Sequence, residues 1–568
     1  MIPRIFLRAV CLLLLGGVST LQAQTISGTV KDASGTPVAG AFVRVRNAQA
    51  VLTFMVVSQG QGRYTTPSLL PGTYALEAIG GDYQSGVEGP VEVRSGQPGK
   101  MDIQLTVARK PGSPRKRLTQ AEHAARMPDG PAKQIILSKC VSCHTLDGAI
   151  DTRTLRVEAN RHQWEEVMGT HKHYMEDFPQ PLSAEEVDMI VDYMAKNFSE
   201  EGVSEEPRRE GGVHPDPNGH LPMTLARGEE SKFISMEFNL RPAAFPHDIS
   251  VDSHGVAWIA EHSQNEEGVD EHGVHGILKQ GVGLISSIDP ETFKYSEFAP
   301  PKGEFPARVS GAAVDPHGVV WVVDNSHNAR MISYNPSTGE FKTYPMPAPP
   351  RLKEYDEFGF GDGSANMNTL TFQDGFVWGS GLLSGEVYRL DPASGGVVTY
   401  PFPKGKPPYG LAFDQHKMLW VSLEFADEIA KLDTTTGKQT YYKVKTPHAD
   451  LRHVQTDAEG NLWASAQQSG KLIKVDGRTG EVTEYTPPTE NSGTLSVDVD
   501  RKHNVIWVAE AEADKMARFD PRTKTFTEFP LPSARTGVKR IAIDPSRPNR
   551  VWWCATGSNR AGYIETIE

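Results

Sequence analysis

The chain has 568 residues, a formal net charge of −13, 38% hydrophobic residues and 23% charged residues. That length has room for several domains, and the balance fits a soluble globular protein. The acidic surplus argues against nucleic acid as the main partner, and 53 glycines with 41 prolines favour turn-rich β architecture over helical bundles.

Residues 1–23 read as a signal peptide. Arg4 and Arg8 supply a positive start, "AVCLLLLGGV" is a short apolar run, and "LQA" before Gln24 suits cleavage. The run is too short for a lasting membrane anchor. The expectation is an exported protein, periplasmic or secreted, with no transmembrane anchor after cleavage.

Residues 25–107 alternate as short strands broken by Asp-Ala-Ser-Gly, Pro37 and Gly40. "SGTVKDASGTPVAGAFVRV", "GRY" and "LPGTYAL" resemble the carboxypeptidase regulatory-like domain, which implies a small transthyretin-like β-sandwich with a carbohydrate-binding-like fold. No His, Cys or acid cluster there carries chemistry, so a structural spacer is expected. Residues 108–128 are basic and Pro-containing and read as a linker, as do residues 201–229.

Between the linkers, residues 129–200 carry helical signals. Ser183 and Glu186 form a capping box, followed by Val187, Ile190, Val191, Met194 and Phe198 on one helical face. The segment also holds "KCVSCHTL". Two thiols one turn apart can reach both vinyl groups of a macrocycle, and the adjacent histidine can face the iron. A zinc site would need more thiols or a His pair, and a thioredoxin-type pair would need a βαβ context. The stretch resembles a small all-α cytochrome c domain. That implies one covalent haem c on Cys140 and Cys143, with His144 as proximal ligand. Met175 is the first choice of distal ligand, ahead of Met168, His171 and His173. Cys11 leaves with the signal peptide, and Cys554 reads as a small buried apolar residue.

From 230 to 568 the chain repeats. Trp258, Trp321, Trp378, Trp420, Trp463, Trp507 and Trp553 are spaced by 63, 57, 42, 43, 44 and 46 residues. Turns such as "DSHG", "DPHG" and "DAEG" precede several of them, and "NPSTG", "DPASG" and "DTTTG" follow. A period near that of four short strands predicts a β-propeller, here with seven blades. "KFISMEFNL" (232–240) is expected to complete the last unit, because an open array would leave exposed edges.

"PHDISVDSHGVAWIAEH", "GLAFDQHKMLWVSLE" and "VQTDAEGNLWASA" resemble the virginiamycin B lyase (streptogramin lyase) type of propeller. That family opens a cyclic ester by proton abstraction, with a histidine at a "PHxI" position and a metal held by glutamates. Here His247 matches that position, and Glu261 matches the acid after the tryptophan strand. The equivalent place in the other units holds Ser310, Asn368, Tyr409, Arg452, Leu495 and Lys539. His247 and Tyr409 are therefore the candidate catalytic pair. Arg308, Asn368, Arg452 and Lys539 are candidate pocket residues for a small anionic substrate, with Arg540 beside them. An insertion at 262–280 offers a candidate divalent site of Glu261, His262, His272 and His275, set against an acidic solvated loop.

The whole is thus expected to be mainly β: a sandwich, a cytochrome c domain and a seven-bladed propeller. The leading expectation for function is electron transfer to a periplasmic redox partner, coupled to a propeller that binds a substrate. The alternatives are a metal-assisted lyase-type propeller enzyme, or a non-catalytic propeller that binds protein or glycan.

Overall fold

The computed structural model describes residues 24–49, 51–109, 124–140, 181–197, 218–242, 244–262, 266–269, 275–279, 282–326, 328–347, 367–424 and 426–567, with a few single residues between 161 and 168. The fold is mainly β with few helices, and its larger part is propeller-like. Among the described residues no helix is long and apolar enough to cross a membrane.

Six four-stranded antiparallel sheets follow one another along the chain. Their first strands are Pro246–Val251, Val309–Val314, Met367–Gln373, Pro408–Phe413, Leu451–Thr456 and Thr494–Asp500. Each packs against the first strand of the next sheet, and Thr494–Asp500 packs against Val538–Ile543. Val538–Ile543 in turn packs against Pro246–Val251.

The repeated tryptophans have a common local cause. In four units an aspartate six residues earlier caps the turn and the indole together. Asp252, Asp315, Asp414 and Asp457 accept the indole N–H of Trp258, Trp321, Trp420 and Trp463 at 3.0, 3.1, 3.0 and 2.9 Å. The other carboxylate oxygen accepts backbone N–H groups two and four residues on, as at Asp414 with His416 and Met418. The turn chemistry thereby fixes the tryptophan in the apolar layer between sheets.

Phe233–Asn239 pairs antiparallel with Arg560–Thr566, the place expected for "KFISMEFNL". The sequence did not show what covers its other edge. That edge pairs antiparallel with Leu52–Val57 of the N-terminal sandwich, so one ten-stranded sheet runs from the sandwich into the last propeller unit. The sandwich core and the last unit share apolar clusters: Val45, Phe54 and Leu76 with Met236, Phe238 and Trp552, and Phe42 and Met55 with Phe233 and Trp553.

Two helices are described between the sandwich and the propeller. Pro131–Lys139 packs against Ala184–Asn197. The capping box is present: the Ser183 N–H donates to Glu186 Oε2 at 2.7 Å, and the Glu186 N–H donates to Ser183 Oγ at 3.1 Å. Ile190, Val191 and Met194 are buried with Ile136, Leu137, Trp164 and Met168. Phe198 lies outside the described residues.

The 262–280 insertion contains a two-stranded hairpin, Glu266–Val269 with His275–Lys279, rather than only a loop.

Candidate functional site

The first strand of every unit is irregular at the same place. Register shifts fall between Pro246 and Asp248, Ser310 and Ala313, Met367 and Leu370, Pro408 and Leu411, Leu451 and Val454, Thr494 and Ser496, and Val538 and Arg540. Each shift inserts one extra residue, and such bulges re-aim side chains. The bulged positions include His247, Asn368, Tyr409, Arg452, His453, Leu495 and Lys539. Spacing puts six of its seven aligned residues at these bulges. It passed over His453, which shares its bulge with Arg452.

A bulge leaves backbone groups outside the ladder, and these are buried. In three consecutive units a serine two residues after the tryptophan takes them up. Ser380 Oγ accepts the Thr369 N–H at 3.2 Å and donates to the Tyr409 carbonyl at 2.5 Å. Ser422 Oγ accepts the Gly410 N–H at 2.8 Å and donates to the Arg452 carbonyl. Ser465 Oγ accepts the His453 N–H at 3.1 Å and donates to the Leu495 carbonyl at 2.8 Å. The hydroxyls thus tie each bulge to the next. At Gly410 the approach is so close that a Cβ would sit 2.6 Å from the Arg452 carbonyl oxygen.

The charged groups sort themselves by partner. Arg452 is buried, holds Asp450 through Nε and Nη2 at 3.0 and 3.1 Å, and pairs with Glu424. Its guanidinium lies 5.2 Å from the centre of the Tyr409 ring, which is 5.3 Å from the ring of His453. Burial raises the pKa of Glu424 and of Asp450, and Arg452 opposes both shifts. Arg540 pairs with Asp248 at 3.4 Å. Arg452 and Arg540 are thus committed to carboxylates. Two of the acids at the ends of the tryptophan strands are occupied elsewhere: Glu261 binds Arg241 at 2.9 Å and Ser286 at 2.6 Å, and Asp324 binds Arg330 at 2.9 Å.

His247 is half-buried, and its Nδ1 lies 2.9 Å from Asp248 Oδ2. A carboxylate only accepts, so Nδ1 carries the hydrogen of this bond. Asp248 is itself anchored by the Gly311 N–H at 3.2 Å and by Arg540. His262, 5.5 Å from His247 ring to ring, accepts the Arg308 Nε–H at Nε2, 3.0 Å away. Its neutral ring must then carry hydrogen on Nδ1. Burial holds His262 and His453 well below the usual imidazole range. Arg308, His247 and Lys539 reinforce this at His262; Arg540, Lys539, Arg452 and His247 do so at His453.

Glu261 and His262 of the candidate divalent site are placed, with Glu261 turned to Arg241. His272 and the side chain of His275 lie outside the described residues. Among the described residues no group of three His, Cys, Asp or Glu could hold a metal. Cys140 caps the helix Pro131–Lys139, its N–H donating to the Ile136 carbonyl at 3.0 Å, and packs partly buried against the helical apolar cluster. Met168 is buried within that cluster. Cys143, His144, Met175, His171 and His173 lie outside the described residues. Cys554 is buried in a core strand, and burial pushes its thiol pKa up.

The helical pair rests on the propeller at a definite place. Leu383 joins its apolar cluster, and Gln134 Oε1 lies 2.6 Å from His448 Nε2. Leu383 sits in the turn after Phe376–Gly381, and His448 precedes Leu451–Thr456. Both connections leave the sheets at the end where the first strands begin, which is also the end of the bulges.

Residues 310–568 match the virginiamycin B lyase family, and residues 25–106 match the carboxypeptidase regulatory-like domain. The chain carries a virginiamycin B lyase-like domain. The matched stretch begins after the first sheet, so His247, Asp248 and His262 fall before it. Among solved structures, a streptogramin B lyase is 22% identical with a TM-score of 0.50, covering 60% of this chain and 100% of that one. The selenomethionine-substituted virginiamycin B lyase from Staphylococcus aureus is 20% identical with a TM-score of 0.48, covering 59% and 100%. No curated protein matches the chain.

Proposed function

We propose that the lyase-like domain is the working part of the protein, that its seven units close into a ring, and that the bulge end of the ring binds and processes a small ligand. The observation that carries this reading is the Asp248–His247 pair. A carboxylate fixes the tautomer of an imidazole whose Nε2 is left to take a proton, which is the arrangement of a general base. The reaction class is elimination on an ester: His247 Nε2 takes the proton from the carbon next to a carbonyl, and the ester oxygen leaves with the bonding pair. Tyr409, under Arg452 and beside His453, lines the same region and orients the ligand.

The test is turnover of cyclic and linear depsipeptides, a streptogramin B among them, followed by the absorbance of the new conjugated double bond. The wild type is expected to turn over at least one. Asp248→Asn should lower kcat by about 10²–10⁴-fold with little change in KM, because it removes the group that orients the base. Turnover that survives intact in His247→Gln would overturn the reading, and so would a wild type inert to the whole panel. In that event the domain is a non-catalytic binding module.

A second reading concerns the helical pair, and the motif at Cys140, Cys143 and His144 favours it. We propose that this segment holds one covalent haem c, with His144 and Met175 as axial ligands. The apolar cluster around Cys140 suits a macrocycle. The haem, when bound, would supply one-electron transfer to a periplasmic partner. Expression with haem-maturation machinery should give a red protein whose haem resists acid-acetone extraction. Cys140→Ala together with Cys143→Ala should be colourless. A colourless wild type would sink this reading without touching the first.

A further inference from the structure

A second imidazole stands beside the Asp248–His247 pair. His262 follows the strand Ala257–Glu261, and its ring lies 5.5 Å from the ring of His247. Three contacts hold it. Its backbone N–H donates to the Phe245 carbonyl at 3.1 Å, its ring meets the Phe245 ring in a T at 6.2 Å, and its Nε2 accepts the Arg308 Nε–H at 3.0 Å. Phe245 itself stands at φ 50°, a left-handed conformation that a bulky residue adopts only where its surroundings impose it. Here the Phe245 N–H is tied to Asn559 Oδ1 at 2.7 Å. A guanidinium only donates, so the Nε2 of His262 is an acceptor and the hydrogen of the neutral ring sits on Nδ1. That Nδ1 is buried and has no partner. A buried N–H is costly to leave without an acceptor, and Arg308 polarises this one by donating to the far side of its ring. The same contacts rule out the metal role that the resemblance gives this corner. Glu261 Oε1 accepts from Ser286 at 2.6 Å and from Tyr295 at 2.5 Å, its Oε2 accepts from Arg241 at 2.9 Å, and that guanidinium balances its charge. His262 offers a metal no lone pair, since Nε2 is taken and Nδ1 carries hydrogen. Glu261 and His262 therefore do not fit a divalent ion.

We propose that the Nδ1–H of His262, set by Arg308, donates to the carbonyl oxygen next to the carbon from which His247 takes its proton. This rests on the reading of His247 as the base. Rings 5.5 Å apart are too close to serve separate ligands, so the two address one. As the C–H bond breaks, its pair moves towards the carbonyl and negative charge builds on that oxygen. The pair then returns to form the carbon–carbon double bond, and the ester oxygen leaves with its own bonding pair. A donor already in place, with a guanidinium behind it, binds the charged oxygen more strongly than the neutral one, which lowers the barrier. The ligand class follows from the donor: an ester or amide carbonyl, uncharged until the proton leaves, rather than a group that arrives with its own charge.

Nitrogen NMR of the full-length protein with isotope-labelled histidine tests the donor without turnover. The His262 signal, assigned by its loss in His262→Gln, should be that of a neutral ring with hydrogen on Nδ1, and Arg308→Met should release it to a mixture of tautomers. The ligand probe is a streptogramin B whose ester is replaced by an amide. It should shift the Nδ1–H signal in the wild type and in His247→Gln alike. In turnover of the depsipeptide panel, His262→Phe should lower kcat about 10²–10³-fold with KM nearly unchanged, the loss expected for one oxyanion donor. His262→Gln, whose amide can still donate, should recover part of it. A His262 ring with hydrogen on Nε2, a probe that leaves its signal in place, or a kcat that His262→Phe does not change overturns the proposal. A wild type inert to the panel sinks the reading of His247 as a base, while the probe shift still decides the donor.

Discussion

Arg452 and Lys539 occupy equivalent bulges and carry the same charge, yet Arg452 alone of the two is buried between acids. Arg452 pairs with two buried acids, Asp450 and Glu424. Arg452→Gln leaves both uncompensated and should cost about 3–5 kcal/mol in denaturant unfolding, the usual price of breaking a buried pair from one side. An Arg452→Gln protein as stable as the wild type would mean that Glu424 and Asp450 shed their charge by protonation instead. Glu510 poses a different problem. It is fully buried at the end of a tryptophan strand, and burial, with Glu528 adding to it, pushes its pKa from 4.5 up to about 8. The folded state therefore holds a proton that the unfolded state gives up. Stability from this group is full below about pH 4.5 and is lost as the pH climbs to about 8. Glu510→Gln removes that loss. Its melting temperature should exceed the wild type's by several degrees at pH 9, with the gap closing towards pH 5. A gap that does not change with pH would show Glu510 to be ionised throughout.

The elements show why some of this could be read from the chain and some could not. The aspartate turns and the Ser183–Glu186 box are local, each set by residues within six positions of one another, and the tryptophan period repeats the same local unit along the chain, so spacing reveals them. The bulges are not local. They depend on how seven strands converge, and a strand with two residues opposite one looks in sequence like any other. That is why Arg452 was found and His453 beside it was not. The pairing of Arg540 with Asp248, and of Arg241 with Glu261, crosses from one unit to another and leaves no mark in spacing. A signal was nevertheless present. "WGS", "WVS" and "WAS" place a serine two residues after Trp378, Trp420 and Trp463, a fully buried position on the tryptophan's own strand face, where a hydroxyl needs a partner. Ser465→Ala should test its role. It strands the His453 N–H and the Leu495 carbonyl, both buried, and should cost about 1–3 kcal/mol. A substitution that leaves the stability unchanged would make the hydroxyl incidental.

At the scale of the molecule, the sandwich is joined to the propeller-like domain by more than a tether. Phe233–Asn239 lies between Arg560–Thr566 and Leu52–Val57, and both ladders are regular and antiparallel. The strand that completes the last unit would be an edge without the sandwich, with a row of unpaired backbone groups beside exposed apolar side chains such as Phe233 and Phe238. Such an edge invites pairing with another chain. Polar contacts reinforce the join: Arg44 of the sandwich donates to Asn218 Oδ1 at 2.7 Å, and Arg109 donates to the carbonyls of Asn218 and Leu221, each at 3.0 Å. The two parts share their cores and should therefore unfold together. Calorimetry of the full chain should show the sandwich and the propeller-like domain melting in one transition. A chain that starts at residue 228 should self-associate or aggregate under conditions where the full chain does not. Placing a lysine at Ser235, on the newly bared strand, should reduce that association, since edge lysines block strand addition. A shortened chain that stays monomeric and melts where the full chain does would show that the sandwich merely leans on the propeller-like domain, and that the last unit holds its final strand without help.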